Sequence, residues 1–342
     1  MKKAIYYLVV LLLVVPGLII AAGIFLYLTN PPGSEEIPKT VYIHQGTIFA
    51  EVAKILEDEG VIKDRWKFSL LARYHQGTKR IKAGEYHLTT SMLPLDVLNV
   101  LVEGKVVEYS TTIPEGNTLY QVADLLSGAG FVDRDKFVER CFDHTFIASL
   151  GIKGDSLEGY LFPDTYKIPR DLGVKGILEL MVSRFRNVYT GEYAEKAKEL
   201  GFSMQEVITL ASIVEKETGK SWERPMIAAV FHNRLKKGIR LQSDPTAVYD
   251  IPDFKGKIRK KHLKRNTPYN TYLNEGLPPG PIANPGEASI KAVLYPDDVK
   301  YLYFVSKKDG THKFSNSLRE HNAAIRKYLK RKNKPRATSG RP

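Results

Sequence analysis

Two glutamates stand one residue apart in TLASIVEKETGK, Thr209–Lys220: Glu215 and Glu217. The stretch around them is otherwise apolar or small, and apolar surroundings raise an acid's pKa until it can hold a proton near neutral pH. Proton transfer to or from a substrate is the chemistry such a group can do. On a helix the two side chains diverge by about 200°, so they leave opposite flanks and cannot work as a facing pair. Val207, Ala211, Val214 and Thr218 mark the centre of the apolar face, with Lys216 toward water. A third acid, Glu158, lies in LEGYLFPDTY, where Tyr160, Phe162 and Tyr166 read as core and Pro163-Asp164 as a turn.

The loops that follow are rich in groups that recognise a neutral ligand with many hydroxyls. RLQSDPTAVYD (Arg240–Asp250), TPYNTYLNEGLPPGPIANPG (Thr267–Gly286) and FSNSLREHN (Phe314–Asn322) offer amides, hydroxyls and tyrosine rings, which suits a sugar. The eight histidines have no ligand spacing, so no metal or other cofactor is expected. Cys141 is the single cysteine; it excludes an intramolecular disulfide and reads as a buried thiol.

The acids need a helix to carry them, and MQEVITLASIVEKETG supplies it. A second helix, RPMIAAVFHNRLKKG, stops at Gly238 after cations that suit a helix C-terminus. KYLYFVSK (Lys300–Lys307) reads as a strand and LREHNAAIRKYLKRK as a closing helix. Earlier, TVYI from Thr40 reads as a strand and GTIFAEVAKILEDEG as a helix with Ile48, Val52, Ile55 and Leu56 on one stripe. That sentence recurs: Ile43, Gly46, Val52, Ala53, Leu56 and Gly60 align with Ile113, Gly116, Val122, Ala123, Leu126 and Gly130 at a constant offset of 70. Each copy goes on alike, GEYHL then VLNVLVEG, DTYKI then ILELMVSRF. The scale of the first copy resembles a LysM-type carbohydrate-binding module.

Ile5–Leu28 is an uncharged apolar run, long enough to cross roughly 30 Å of hydrocarbon as a helix. We read it as a retained anchor, because Ile24–Leu28 stay apolar beyond the small residues Ala21, Ala22 and Gly23; a cleaved signal peptide is the alternative. Lys2 and Lys3 then stay cytoplasmic, and everything after Thr29 lies outside the plasma (inner) membrane. Asn30–Lys39 has linker composition. The formal net charge is +13. For an exported chain this argues against nucleic acid and for anionic lipid or cell-wall polymer, although Ile258–Arg265 and Ile325–Arg336, which hold much of the excess, suit solvated faces or a tail. The layout is therefore α+β: a cytoplasmic tail at 1–4, an anchor at 5–28, a linker at 29–39, a small LysM-like module at 40–110, a larger domain at 111–330 that holds the second copy and the acids, and a basic disordered tail at 331–342.

In chain order, LEGYLFPDTY, ASIVEKET, NRL with LQSDPT, PYNTY before GLPPGPIANPG, and YLYFV with a later EHN resemble the endolytic lytic transglycosylases of bacterial cell-wall metabolism, the MltG or YceG-like family. The likeness runs from about Val41 to Leu329. It implies cleavage of the bond between N-acetylmuramic acid and N-acetylglucosamine within nascent glycan strands, leaving a 1,6-anhydro end and limiting strand length. One carboxyl group suffices, where ordinary glycosidases use two. The resemblance favours Glu217, because Glu-Thr here is similar to the Glu-Ser pair that carries the acid in related lysozyme-like transglycosylases. It further implies that Gln242, Asp244 and Thr246 orient the substrate, and that Tyr269, Asn270, Tyr272 and Asn284 stack on sugar or bond its acetamido group. Glu215, Glu158 and Asn322 are left as supporting residues. Partners implied are peptidoglycan strands and the penicillin-binding synthases that polymerise them. Two rivals remain: a non-enzymatic glycan-binding scaffold, and a hydrolase that admits water.

Overall fold

The computed structural model describes residues 2–252 and 254–329. Helices predominate, joined by three two-stranded sheets. The described residues divide into two compact units: the chain up to Ser110 together with Lys167–Gly173, and Thr111–Tyr166 together with the chain from Val174 onward. The basic segment at 331–342 lies outside the described residues.

The first unit opens with α1 (Lys2–Thr29), a single helix that takes in Lys2 and Lys3 and holds Pro16 within it. Leu12–Thr29 has the length and composition to cross a membrane. Leu13, Leu18, Ile19 and Phe25 all face outward, as a helix with no polar face does when it lacks protein partners. Near its end the helix turns into the unit: Tyr27 joins the hydrophobic core. The segment that follows is not the free spacer its composition suggests. The Gly33 N–H donates to the Thr90 carbonyl at 2.8 Å, and the Thr90 hydroxyl donates to the Glu35 carbonyl at 2.7 Å.

β1 (Pro38–Ile43) then pairs antiparallel with β2 (Gly84–Thr89), Val41 opposite Tyr86. Between them run α2 (Phe49–Asp58) and α3 (Arg65–Tyr74), and α4 (Pro94–Glu103) follows. Alternation on the strands sends Val41, Ile43, Tyr86 and Leu88 inward, onto Val52 and Leu56 of α2 and Val97 and Leu101 of α4. Ile48 is not on the buried stripe expected of it: it caps α2 and is 68% exposed, while Ala53 fills the stripe instead. The same order of elements returns as β3 (Glu108–Thr112), α5 (Leu119–Gly128), α6 (Arg134–Cys141), the extra α7 (His144–Ser149), β4 (Thr165–Pro169) and α8 (Gly173–Val188). β3 pairs with β4. Val122, Ala123 and Leu126 are buried as Val52, Ala53 and Leu56 are. Gly130 and Gly60 both take the left-handed φ that ends the helix, +77° and +71°.

In the second unit α9 (Gly191–Glu199), α11 (Arg224–Lys236) and α12 (Glu287–Leu294) pack around α10 (Met204–Glu217), and β5 (Tyr303–Ser306), β6 (His312–Ser315) and α13 (Leu318–Tyr328) complete it. The expected strand at Lys300–Lys307 is shorter because α11 side chains take backbone groups ahead of it. Asn233 donates to the carbonyls of Val299 and Tyr301, and Arg234 to that of Leu302. α10 is also less amphipathic than its wheel: every residue from Val207 to Val214 is buried, because α9, α11, α12 and the loop through Ile282 enclose it.

Candidate active site

α10 starts on a capping box, Ser203 with Glu206, and ends at Glu217, where Thr218 swings to an extended φ of −146°. The buried length between these ends fixes the terminal residue. Thr218 is held in turn, since its hydroxyl donates to the buried Glu223 carboxylate at 3.3 Å and accepts from the Lys220 N–H. Glu223 also accepts both the backbone N–H of His312, at 2.8 Å, and a bond from its Nδ1 at 2.7 Å. The end of α10 is thus clasped to β6.

Glu217 accepts a 2.5 Å hydrogen bond from the Ser243 hydroxyl. It keeps some exposure, which access to a substrate requires, yet its surroundings are close enough that burial pushes its carboxyl up to about 7. The Ser243 bond opposes that rise, the negative charge of Asp244 adds to it, and the Arg234 guanidinium offsets part of it. Asp244 opens a short 3₁₀ turn, Asp244–Ala247, and accepts from the Tyr272 hydroxyl at 2.5 Å. Burial and that carboxylate raise the Tyr272 phenol, so it stays a donor.

The Ser243 loop is shaped by threonines. Thr246 donates to the Ser243 carbonyl at 2.7 Å, Thr271 accepts the Ser243 N–H at 3.0 Å, and their hydroxyls meet at 2.8 Å. Gln242, with an exposed side chain, holds φ at +50°, where a non-glycine residue is strained. Arg234 comes from α11; its guanidinium donates to the carbonyls of Leu302, Arg240 and Leu241 and lies 5.1 Å from the Tyr303 ring.

Of the residues expected to bind substrate, the structure brings Asp244 and Tyr272 to Glu217 with Gln242 beside them. Thr246, Asn270 and Asn284 are fully buried. Asn270 donates to the carbonyls of Leu263 and Arg265, and Asn284 accepts from the N–H groups of Gly159 and Leu161 while donating to Asn117 and Glu158. Both amides are thus engaged with backbone and buried groups within the loops. Tyr269 packs on Tyr249 with ring centroids 4.7 Å apart. Tyr249 donates to Glu158 at 3.0 Å, so Tyr269 belongs with that cluster. Glu158 itself is fully buried and accepts from the Leu119 N–H, Tyr249 and Asn284; burial pushes it up to about 8. Gly159 beside it has φ +88°, and a Cβ there would come within 2.5 Å of Pro281, so LEGYLFPDTY is a packing motif.

Glu215 faces away from Glu217's partners. Its carboxylate, 6% exposed, accepts from Arg224 at 2.9 Å and from the Gly286 N–H at 3.1 Å. Lys216 is exposed but not free in water, as its ammonium donates to the Gly116 carbonyl. Asn322 is exposed on α13, whereas its neighbour His321 is the one turned inward, stacked on Tyr303. Sequence reasoning gave no role to Ser243 or Arg234. LQSDPT and NRL each contain one, but only the fold reveals that Ser243 bonds the last residue of α10 and that the charge of Arg234 reaches it.

Comparisons with known proteins cover most of the chain. A model of the YceG-like family matches residues 41–327. An endolytic murein transglycosylase of Bacillus subtilis is 35% identical over 335 residues, covering 92% of this chain and 92% of that protein. One from Streptococcus pneumoniae strain D39 is 30% identical over 330 residues, 86% of this chain and 59% of the relative. A crystal structure of a YceG-like protein from Listeria monocytogenes is 37% identical, covers 84% of this chain and 98% of that one, and superposes with a TM-score of 0.58.

Proposed function

The chain belongs to the YceG-like family, and we propose that it acts as an endolytic murein transglycosylase whose single working acid is Glu217. It is a lyase on peptidoglycan, cutting within glycan strands. The observation that carries the assignment of the acid is the Ser243–Glu217 hydrogen bond around a carboxyl raised to about 7. Such a group is protonated in much of the population at neutral pH and can give that proton to the glycosidic oxygen as the bond to the muramic acid C1 breaks. The muramic C6 hydroxyl oxygen then bonds to C1, and the Glu217 carboxylate takes the proton that hydroxyl loses. The acid ends as it began, and no water enters.

Ser243 serves both halves. It fixes the carboxyl rotamer for donation, then stabilises the carboxylate that must act as base. Asp244, tied to Tyr272, keeps the resting acid protonated by its charge and presents one oxygen-rich edge to sugar. Gln242 lies at the mouth of the same loop and offers an amide for an acetamido group.

The rest of the reading is supported by the apolar length of α1, the lysines before it and the likeness to the family. α1 is a retained anchor, with Lys2 and Lys3 on the cytoplasmic side and the chain after Thr29 outside. The first unit, with its strand–helix–helix–strand order, works as a LysM-like grip on glycan. Penicillin-binding synthases are the partners that supply fresh strands.

The test uses Glu217→Gln in the full chain on purified glycan strands. The variant should bind strands as the wild type does and lose cleavage by about 10²- to 10⁴-fold. Wild-type rates in the variant would remove Glu217 from the mechanism.

A further inference from the structure

α3 carries apolar side chains on two sides. Phe68, Leu71 and Ala72 enter the core. On the outer side Trp66 is 68%, Leu70 42% and Tyr74 85% exposed. Steps of four residues align these three in one stripe. A contiguous apolar stripe on a water-facing helix marks a surface with a partner.

Its position says which. The Tyr27 hydroxyl donates to the carbonyl of Asp64, the residue that caps α3, at 3.3 Å. The Lys67 ammonium lies 5.7 Å from the Tyr27 ring. Tyr27 stands two residues before the end of α1. The first turn of α3, Trp66 included, is therefore held at the outer end of the apolar helix. Because Thr90 pins the segment after α1, the unit does not swing on a tether.

We propose that the Trp66–Leu70–Tyr74 face of α3 lies in the lipid headgroup layer of the membrane that α1 crosses. Indole and phenol rings favour that layer because one edge is apolar and the other polar. The helix sequence RWKFSLLARY holds three cations and no acid, and Lys63 precedes it. Arg65 and Lys67 pair with Glu57 and the capping Asp64 at 3.6 Å each, so Lys63 and Arg73, at the two ends of the helix, are the cations that match anionic headgroups. The stripe is about 12 Å long, longer than the headgroup layer is deep, about 5 to 8 Å. α3 must then lie along the surface, with all three side chains at similar depth. The inference rests on α1 being a retained anchor.

Trp66 and Trp222 are the chain's two tryptophans, so each can be isolated as an intrinsic probe. The full chain is reconstituted in vesicles of phosphatidylethanolamine and phosphatidylglycerol carrying a nitroxide at the headgroup. Trp222→Phe reports on Trp66, and Trp66→Phe reports on Trp222. Headgroup nitroxide should quench Trp66 at least about twofold relative to vesicles without nitroxide, and replacing phosphatidylglycerol by phosphatidylcholine should weaken that quenching. Equal Trp66 emission with and without nitroxide would overturn the proposal, as would Trp66 emission that responds to soluble glycan strands in detergent and not to lipid. Carbonate extraction separates the two readings. A chain that stays with the vesicles while Trp66 escapes quenching refutes the docked face alone; a chain released by carbonate removes the anchor and the docked face together.

Discussion

The Ser243 hydroxyl donates to the Glu217 carboxylate across 2.5 Å, joining a loop to the last residue of a buried helix. Burial raises the Glu217 pKa, and the groups around this bond adjust it, so on the proposed mechanism they tune the pH of cleavage.

Ser243 lowers the Glu217 pKa and Asp244 raises it. Cleavage that needs Glu217 protonated falls as pH rises through about 7 in the wild type. Ser243→Ala removes a lowering influence, so the alkaline limb of kcat/KM should move to higher pH, with the rate at its optimum down by about 10-fold or more. Asp244→Asn removes a raising influence and should move the limb to lower pH. Profiles of both variants on glycan strands check the opposite signs; shifts in the same direction would contradict the arrangement.

Glu217 also leaves a mark on stability. Its native pKa, about 7, exceeds the ordinary 4.5, so the native state holds a proton there that the unfolded chain has released. The stabilisation this proton gives is full below pH 4.5 and is lost as pH rises toward 7. Gln at this position cannot ionise. Relative to the wild type, Glu217→Gln should gain stability between pH 5 and 8 by on the order of 1 to 3 kcal/mol, after allowance for solvent screening at a partly exposed group. Urea midpoints at the two pH values measure it.

Glu215 predicts the opposite pattern to its neighbour. It is locked to Arg224 and the Gly286 N–H, so Glu215→Gln should cost about 1 to 3 kcal/mol of stability while the folded enzyme keeps kcat within about 10-fold of wild type. Loss of cleavage with stability intact would exchange the roles of the two acids.

Gly159→Ala tests the packing role of its motif. Left-handed φ and a Cβ within 2.5 Å of Pro281 and 2.8 Å of Ile208 leave no room. The variant should lose about 3 kcal/mol or more, read as a drop in Tm, and should not form the native site.

The sequence makes the local elements legible and leaves the site half hidden. Periodicity marks α10 and α11, and an offset of 70 marks the twice-used strand and helix pattern, because both are local regularities. Glu217 itself emerges from resemblance, since a helical wheel treats Glu215 and Glu217 alike. Asn270 and Asn284 look like sugar ligands by residue type, yet their amides close turns; whether an amide faces a groove or a carbonyl depends on long-range packing. Ser243 and Arg234 escape notice for the same reason, since Glu217 lies 26 residues before Ser243 and the Leu302 carbonyl 68 residues after Arg234. Asn30–Lys39 reads as a spacer because Thr90, which pins it, is more than fifty residues on.

Cleavage without water is the centre of the account, and the mass of the new glycan ends tests it most directly. The full-length protein acting on purified strands should release products ending in 1,6-anhydro-N-acetylmuramic acid, with these ends absent for Glu217→Gln. Reducing ends heavier by one water, produced at wild-type rates, would contradict it and make the enzyme a hydrolase.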